Sequence, residues 1–239
     1  MLDRLIPLSM PMPTTPTLHA VLTGDLIESR ALDDQELAAA QRVIRQGAKD
    51  YAKATGHKVP GAPDFFRGDA WQLLLDSPAT ALRLALLLRA RLRAATLGDT
   101  RIAIGIGSTR RVNRRKTSLS SGQAFELSGH ALDRMSGYFD LTAAVPHDVG
   151  WAAEWLPVVM HLCSELARDW TTRQAETVAV ALLHPDATHE QIGTLLPKPV
   201  KKQTVTSALR SAHYRALLEA LRLFEDCDWP ALLITDDTR

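Results

Sequence analysis

Apolar positions along the chain keep two different periods. Up to about residue 145, short apolar runs suited to strands alternate with stretches at helical spacing, and beyond it only helical spacing continues. The run 19–23 reads as a buried strand that delivers Asp25 at its C-terminal edge. Asp33 or Asp34 then caps a helix to about residue 54, with Leu37, Ala40, Val43, Ile44, Ala48 and Tyr51 at helical spacing. Gly56 and the prolines at 60 and 63 stop it, and Phe65–Phe66 followed by Trp71, Leu73 and Leu75 predicts two strands turning at Arg67-Gly68-Asp69. Pro78 opens a helix through Leu97, and 101–107 reads as a central strand whose glycines mark a close approach.

The order strand, helix, hairpin, helix, strand predicts an α+β, ferredoxin-like βαββαβ domain, in which the first strand lies beside the hairpin and Asp25 and Asp69 can converge. A polar loop crowded with Arg110, Arg111, Arg114, Arg115 and Lys116 follows. A helix over 122–135, a strand over 138–145 and a helix over 148–168, in which Pro157 is either a kink or a boundary, complete that part. Thr171 with Gln174 and Thr188 with Gln191 are capping-box pairs for two helices ending before Pro185 and near Leu196. A third helix starts near Lys201 and extends towards Glu225. The resulting division is an extended arm over 1–17, a palm-like domain over 18–168 and an all-α helix-turn-helix domain over 169–239.

Composition changes this picture only locally. The 239 residues carry a net charge of +1, which says nothing for or against nucleic acid, but 198–222 holds six Lys or Arg against one acid, Glu219. The arm contains four of the thirteen prolines and has no pattern of a secretory signal. The long apolar stretch 79–97 is broken by Arg83, Arg89, Arg91 and Arg93, so a membrane span is excluded and a cytoplasmic location is expected. Cys163 and Cys227 lack metal-ligand spacing and read as free thiols.

Two carboxylates on neighbouring strands are what a Mg²⁺ ion clamping a nucleotide needs, so Asp25 and Asp69 are the candidate metal ligands. Ser29, Arg30, Arg67, Gly68 and Arg115 are candidates for contact with nucleotide phosphates. Each motif also has a plain structural reading, a capped turn for Asp25 and a hairpin corner for Asp69. At the start of the last helix, Val205, Leu209, Ala212, Ala216 and Leu217 can face inward, leaving Lys201, Lys202, Gln203, Thr204, Thr206, Ser207, Arg210 and Tyr214 outward as candidate DNA contacts.

The segments Thr23-Gly24-Asp25-Leu26-Ile27-Glu28-Ser29-Arg30 and Phe66-Arg67-Gly68-Asp69-Ala70-Trp71 resemble the SatD family of bacterial proteins, and over about 19–145 the chain is similar to the palm of class III nucleotidyl cyclases and GGDEF domains. The stretch 204–209 resembles the recognition helix of sigma-type and response-regulator output domains. Carried over, the resemblance makes Asp25 and Asp69 the two metal-binding aspartates of a cyclase, with Mg²⁺ and a purine nucleotide as its ligands. It fails at the cyclase asparagine and arginine, which are Glu126 and His130 here, and at the GGDEF acidic residue after the turn aspartate, where this chain has Ala70-Trp71. A neutral imidazole or a glutamate does not neutralise charge on a transferring phosphate as an arginine does.

The expectation is a DNA-binding regulator with a nucleotide- or metal-nucleotide-sensing domain, no membrane partner and the homodimer left open. The alternatives are a Mg²⁺-dependent nucleotidyl cyclase or nucleotidyltransferase, and a degenerate palm that serves as a dimerisation scaffold.

Overall fold

The computed structural model describes residues 17–66 and 68–233, so all of the expected arm except Thr17 lies outside it. Strand β1 (Leu18–Leu26) is central, with Ala20 and Leu22 turned to one face of the sheet and Val21 to the other. Helix α1 (Asp34–Thr55) begins at a full capping box between Asp33 and Glu36 and buries Ala40, Ile44, Ala48 and Tyr51. The hairpin β2 (Asp64–Phe66) and β3 (Ala70–Leu75) follows, then a 3-10 turn at Pro78–Thr80, α2 (Ala81–Ala94) and β4 (Thr100–Ser108).

The sheet order is β2-β3-β1-β4, with β1 antiparallel to both β3 and β4, and α1 and α2 share one core with its apolar face. This is the ferredoxin-like βαββαβ arrangement expected from the segment order. Helix α3 (Gln123–Arg134) covers the other face, where Val21 and Leu74 meet Ala124 and Phe125. Its seat depends on Gly105, because a Cβ there would stand 2.2 Å from the Ala124 carbonyl oxygen. Strand β5 (Leu141–Ala144) adds to the edge parallel to β4, shorter than the expected 138–145.

Helices alone follow: α4 (Trp151–Arg168), α5 (Thr172–Leu183), α6 (His189–Leu195), α7 (Lys202–Ser211), α8 (Tyr214–Glu225) and α9 (Trp229–Leu233). Pro157 lies inside α4 without ending it. The capping boxes at Thr171 and Thr188 both form. One expectation is corrected: the helix that begins near Lys201 does not continue to Glu225, because His213 takes a left-handed conformation (φ 52°) that ends α7 and starts α8 in a new direction.

The core is continuous across residue 169. Helix α2 packs on the sheet with one side and on α5 and α8 with the other, so even Arg83 and Arg89 are buried. Arg89 is 0% exposed and donates to Asp99 at 3.0 and 2.7 Å, to Asp140 at 3.1 Å and to Ser164 at 3.2 Å. Arg83 forms a two-pronged pair with Glu225 of α8 at 2.5 and 2.8 Å. A buried guanidinium left without its carboxylate is strongly destabilising, so these pairs tie α2 to the turn before β4 and to α8. No helix among the described residues is long and apolar enough to cross a membrane.

Candidate functional site

Strand register brings the two aspartates to one end of the sheet. Asp25 stands opposite Ala70 on β3, next in sequence to Asp69, and opposite Arg101 on β4. Thr100 Oγ1 donates to the Asp25 backbone oxygen at 2.7 Å and accepts from Trp71 Nε1 at 3.0 Å, which locks the strand ends together.

Each aspartate already has a partner. Arg101 donates from Nε to Asp25 Oδ1 at 2.8 Å and from its terminal nitrogen to Oδ2, a parallel two-bond fork. The pair is partly shielded, with Arg101 34% and Asp25 22% exposed in their side chains. The bond from Arg101 to Asp25 raises the guanidinium pKa further above its ordinary value, and the charges of Asp25, Asp140 and Asp69 add to this. Ser29 Oγ donates to Asp69 Oδ2, and Gln41 of α1 holds the hairpin tip by donating to the Gly68 carbonyl at 2.8 Å.

Mg²⁺ asks for near-octahedral oxygen ligation and keeps few but unencumbered carboxylates. Here both oxygens of Asp25 face a guanidinium. The arrangement therefore does not fit the Mg²⁺ ion expected between Asp25 and Asp69.

Of the other residues expected there, Ser29 and Gly68 lie at this end, and Arg30 is exposed in the 3-10 turn that follows β1. Arg67 lies outside the described residues. Arg115 is not brought to the aspartates: its loop leaves β4 at the Ser108 end, opposite Leu18, and is pinned to β2 where Ser118 donates to Asp64. Glu126 and His130 line a cleft of about 480 Å³ between α3, β5 and α4, whose lining includes neither Asp25 nor Asp69. Arg101 is a site residue that the sequence alone does not single out. Its signal, a cation opposite Asp25, becomes visible only once the β1–β4 register is known.

The second candidate surface is α7. Val205 and Leu209 are buried, while Lys201, Lys202, Gln203, Thr204, Thr206, Ser207 and Arg210 are exposed. Among the described residues only Thr206 of these seven side chains has a hydrogen-bond partner, the Lys202 carbonyl at 3.0 Å and His189 Nδ1 at 2.8 Å. The helix is set by a close approach: Val200 N–H donates to the Gly193 carbonyl at 3.0 Å, and a Cβ on Gly193 would lie 2.4 Å from the Val200 oxygen. Tyr214 is a correction. The break at His213 turns it inward against the core beside Arg83, whereas Ala216, expected inside, is exposed.

No family model and no curated protein matches the chain, so the SatD resemblance rests on its short motifs. Among solved structures, the crystal structure of the guanylyl cyclase Cya2 is similar, with a TM-score of 0.37 and 17% identity over 53% of this chain and 74% of that one.

Proposed function

We propose that this protein is a DNA-binding regulator in which α5, α6 and α7 act as a helix-turn-helix, α7 entering the major groove and the sheet carrying the helices. The observation that carries this reading is the outer face of α7, where cationic and amide or hydroxyl side chains stand together and, among the described residues, all but Thr206 lack a hydrogen-bond partner. Gln203, Thr204, Thr206, Ser207 and Arg210 are suited to base edges, and Lys201 and Lys202 to phosphates. The resemblance of 204–209 to sigma-type recognition helices points the same way. Fluorescence anisotropy with duplex DNA over a range of salt tests it. Lys201→Ala with Lys202→Ala weakens binding across sequences and lowers the salt slope by about one unit per lost phosphate contact. Equal affinity and slope in wild type and variant would remove α7 from the interface.

A regulatory ligand at the aspartate end is the second reading, favoured by a hydrogen-bonded connection from there to α7. Ile27 N–H, two residues beyond Asp25, donates to the Asp99 carbonyl at 2.9 Å, and the Asp99 carboxylate accepts from Arg93 at 3.1 Å. Arg93 donates to the Trp170 carbonyl at 3.2 and 3.1 Å, and Trp170 Nε1 donates to the carbonyl of Ala212, which ends α7, at 3.1 Å. A nucleotide held by Ser29, Arg30 and Gly68 changes DNA affinity only if it prefers one arrangement of this connection. Differential scanning fluorimetry against purine nucleotides, with and without Mn²⁺, tests it. A shift that also changes DNA affinity supports sensing, and no shift leaves the sheet as a scaffold. The enzyme reading is weaker, because Asp25 is occupied and the residues at the cyclase asparagine and arginine positions, Glu126 and His130, line a different cleft.

A further inference from the structure

We infer that Arg101 is the resident cation of the Asp25–Asp69 pair and stands where a divalent metal would, so this end of the sheet takes no Mg²⁺ or Mn²⁺ while Arg101 is present. The inference is independent of DNA binding by α7. Asp25 and Arg101 face each other directly across antiparallel strands, which places their side chains on one face of the sheet at contact distance. The guanidinium fork satisfies both carboxylate oxygens at once, and its planar geometry makes this stronger than a single-point ion pair.

Asp69 adjoins Ala70, the residue opposite Asp25 on β3, and its own hydrogen bond comes from Ser29. A divalent ion approaching both aspartates would therefore meet a fixed positive charge within a few ångströms. Displacing Arg101 would leave a partly buried guanidinium without its carboxylate. Removing the guanidinium has the opposite result: two carboxylates at one strand end with no cation, a pair that attracts a divalent ion.

The test is Mn²⁺ binding to the full chain, followed by electron paramagnetic resonance of the free ion and by calorimetry, with thermal melting of each variant as the check on folding. Arg101→Met keeps most of the side-chain length without the charge and gains Mn²⁺ affinity by about tenfold or more, the change that corresponds to one unit of electrostatic coupling. The gain disappears in Arg101→Met with Asp25→Asn. Wild-type protein that already binds Mn²⁺ as tightly as Arg101→Met, with the binding lost in Asp25→Asn, would overturn the inference. So would a folded Arg101→Met that gains nothing. If that variant does not fold, Arg101→Gln decides: it removes the charge but keeps a polar side chain, and a gain in Mn²⁺ affinity supports the inference whereas wild-type behaviour refutes it.

Discussion

The aspartate end of the sheet and the outer face of α7 are both crowded with polar side chains, and they differ in where those side chains find partners. At the sheet end Asp25 meets Arg101, Asp69 meets Ser29 and Gly68 is tied to Gln41. On α7, among the described residues, every outward candidate is exposed and all but Thr206 lack a hydrogen-bond partner. A group that already holds a hydrogen bond must give it up before it binds anything else, so its removal is felt first by the fold. A group facing water can be removed with little effect on the fold, and its loss is felt only in binding.

The largest effect expected from this contrast is at Asp99, the innermost carboxylate of the closed set. Asp99→Ala leaves the fully buried Arg89 with Asp140 as its remaining carboxylate, and the expected loss in urea unfolding is about 3–5 kcal/mol. DNA affinity of the folded fraction is expected to stay as it was. A loss below about 1 kcal/mol would mean that these pairs do not hold the fold closed.

Gly193→Ala crosses the boundary between the two classes. Its methyl group would press on the Val200 carbonyl, so α6 and α7 must move apart, costing about 1–3 kcal/mol and DNA affinity together. A variant unchanged in both would contradict the close packing of that turn. Lys201→Ala with Lys202→Ala sharpens the contrast from the other side. Its melting temperature should match wild type while the salt slope of DNA binding falls by up to about 1.8 units; a lowered melting temperature with unchanged binding would reverse the assignment.

The smallest effect concerns His161, which stacks on Phe139 with ring centroids 3.9 Å apart and is neither closed off nor open. Burial lowers its pKa below the ordinary histidine value, so the folded protein prefers the neutral ring. The unfolded chain takes up a proton at about pH 6.5, and stability therefore declines as pH falls below that point and through the lower folded-state pKa. Melting curves on either side of that pH should show a slope that His161→Phe reduces, and an identical slope in the variant would assign it to other groups.

What the sequence made legible was local or topological. The capping boxes at Asp33, Thr171 and Thr188 span only three residues each, so their partners can be read in one window. Segment order put β1 beside the hairpin and so brought Asp25 near Asp69. Arg101 lies 76 residues from Asp25, and nothing but the exact β1–β4 register pairs them, since a slip by one residue would send the arginine to the other face. Tyr214 and Ala216 were misplaced for a related reason. A continuous helix from Lys201 keeps one phase of inward and outward positions, and one left-handed residue, His213, resets that phase.

The burial of α2 has a consequence for how the chain is made. Translation releases α2 well before α5 and α8, the helices that cover its outer side. In the interval the nascent protein can form its sheet and still present a leucine-rich helix to its surroundings, with Arg83 waiting for Glu225 and Arg89 for Ser164. A stop codon just before Trp170 would not release a smaller working domain. It would release a chain with its strands paired and its α2 surface bare, and such a chain is destined for chaperones or aggregates.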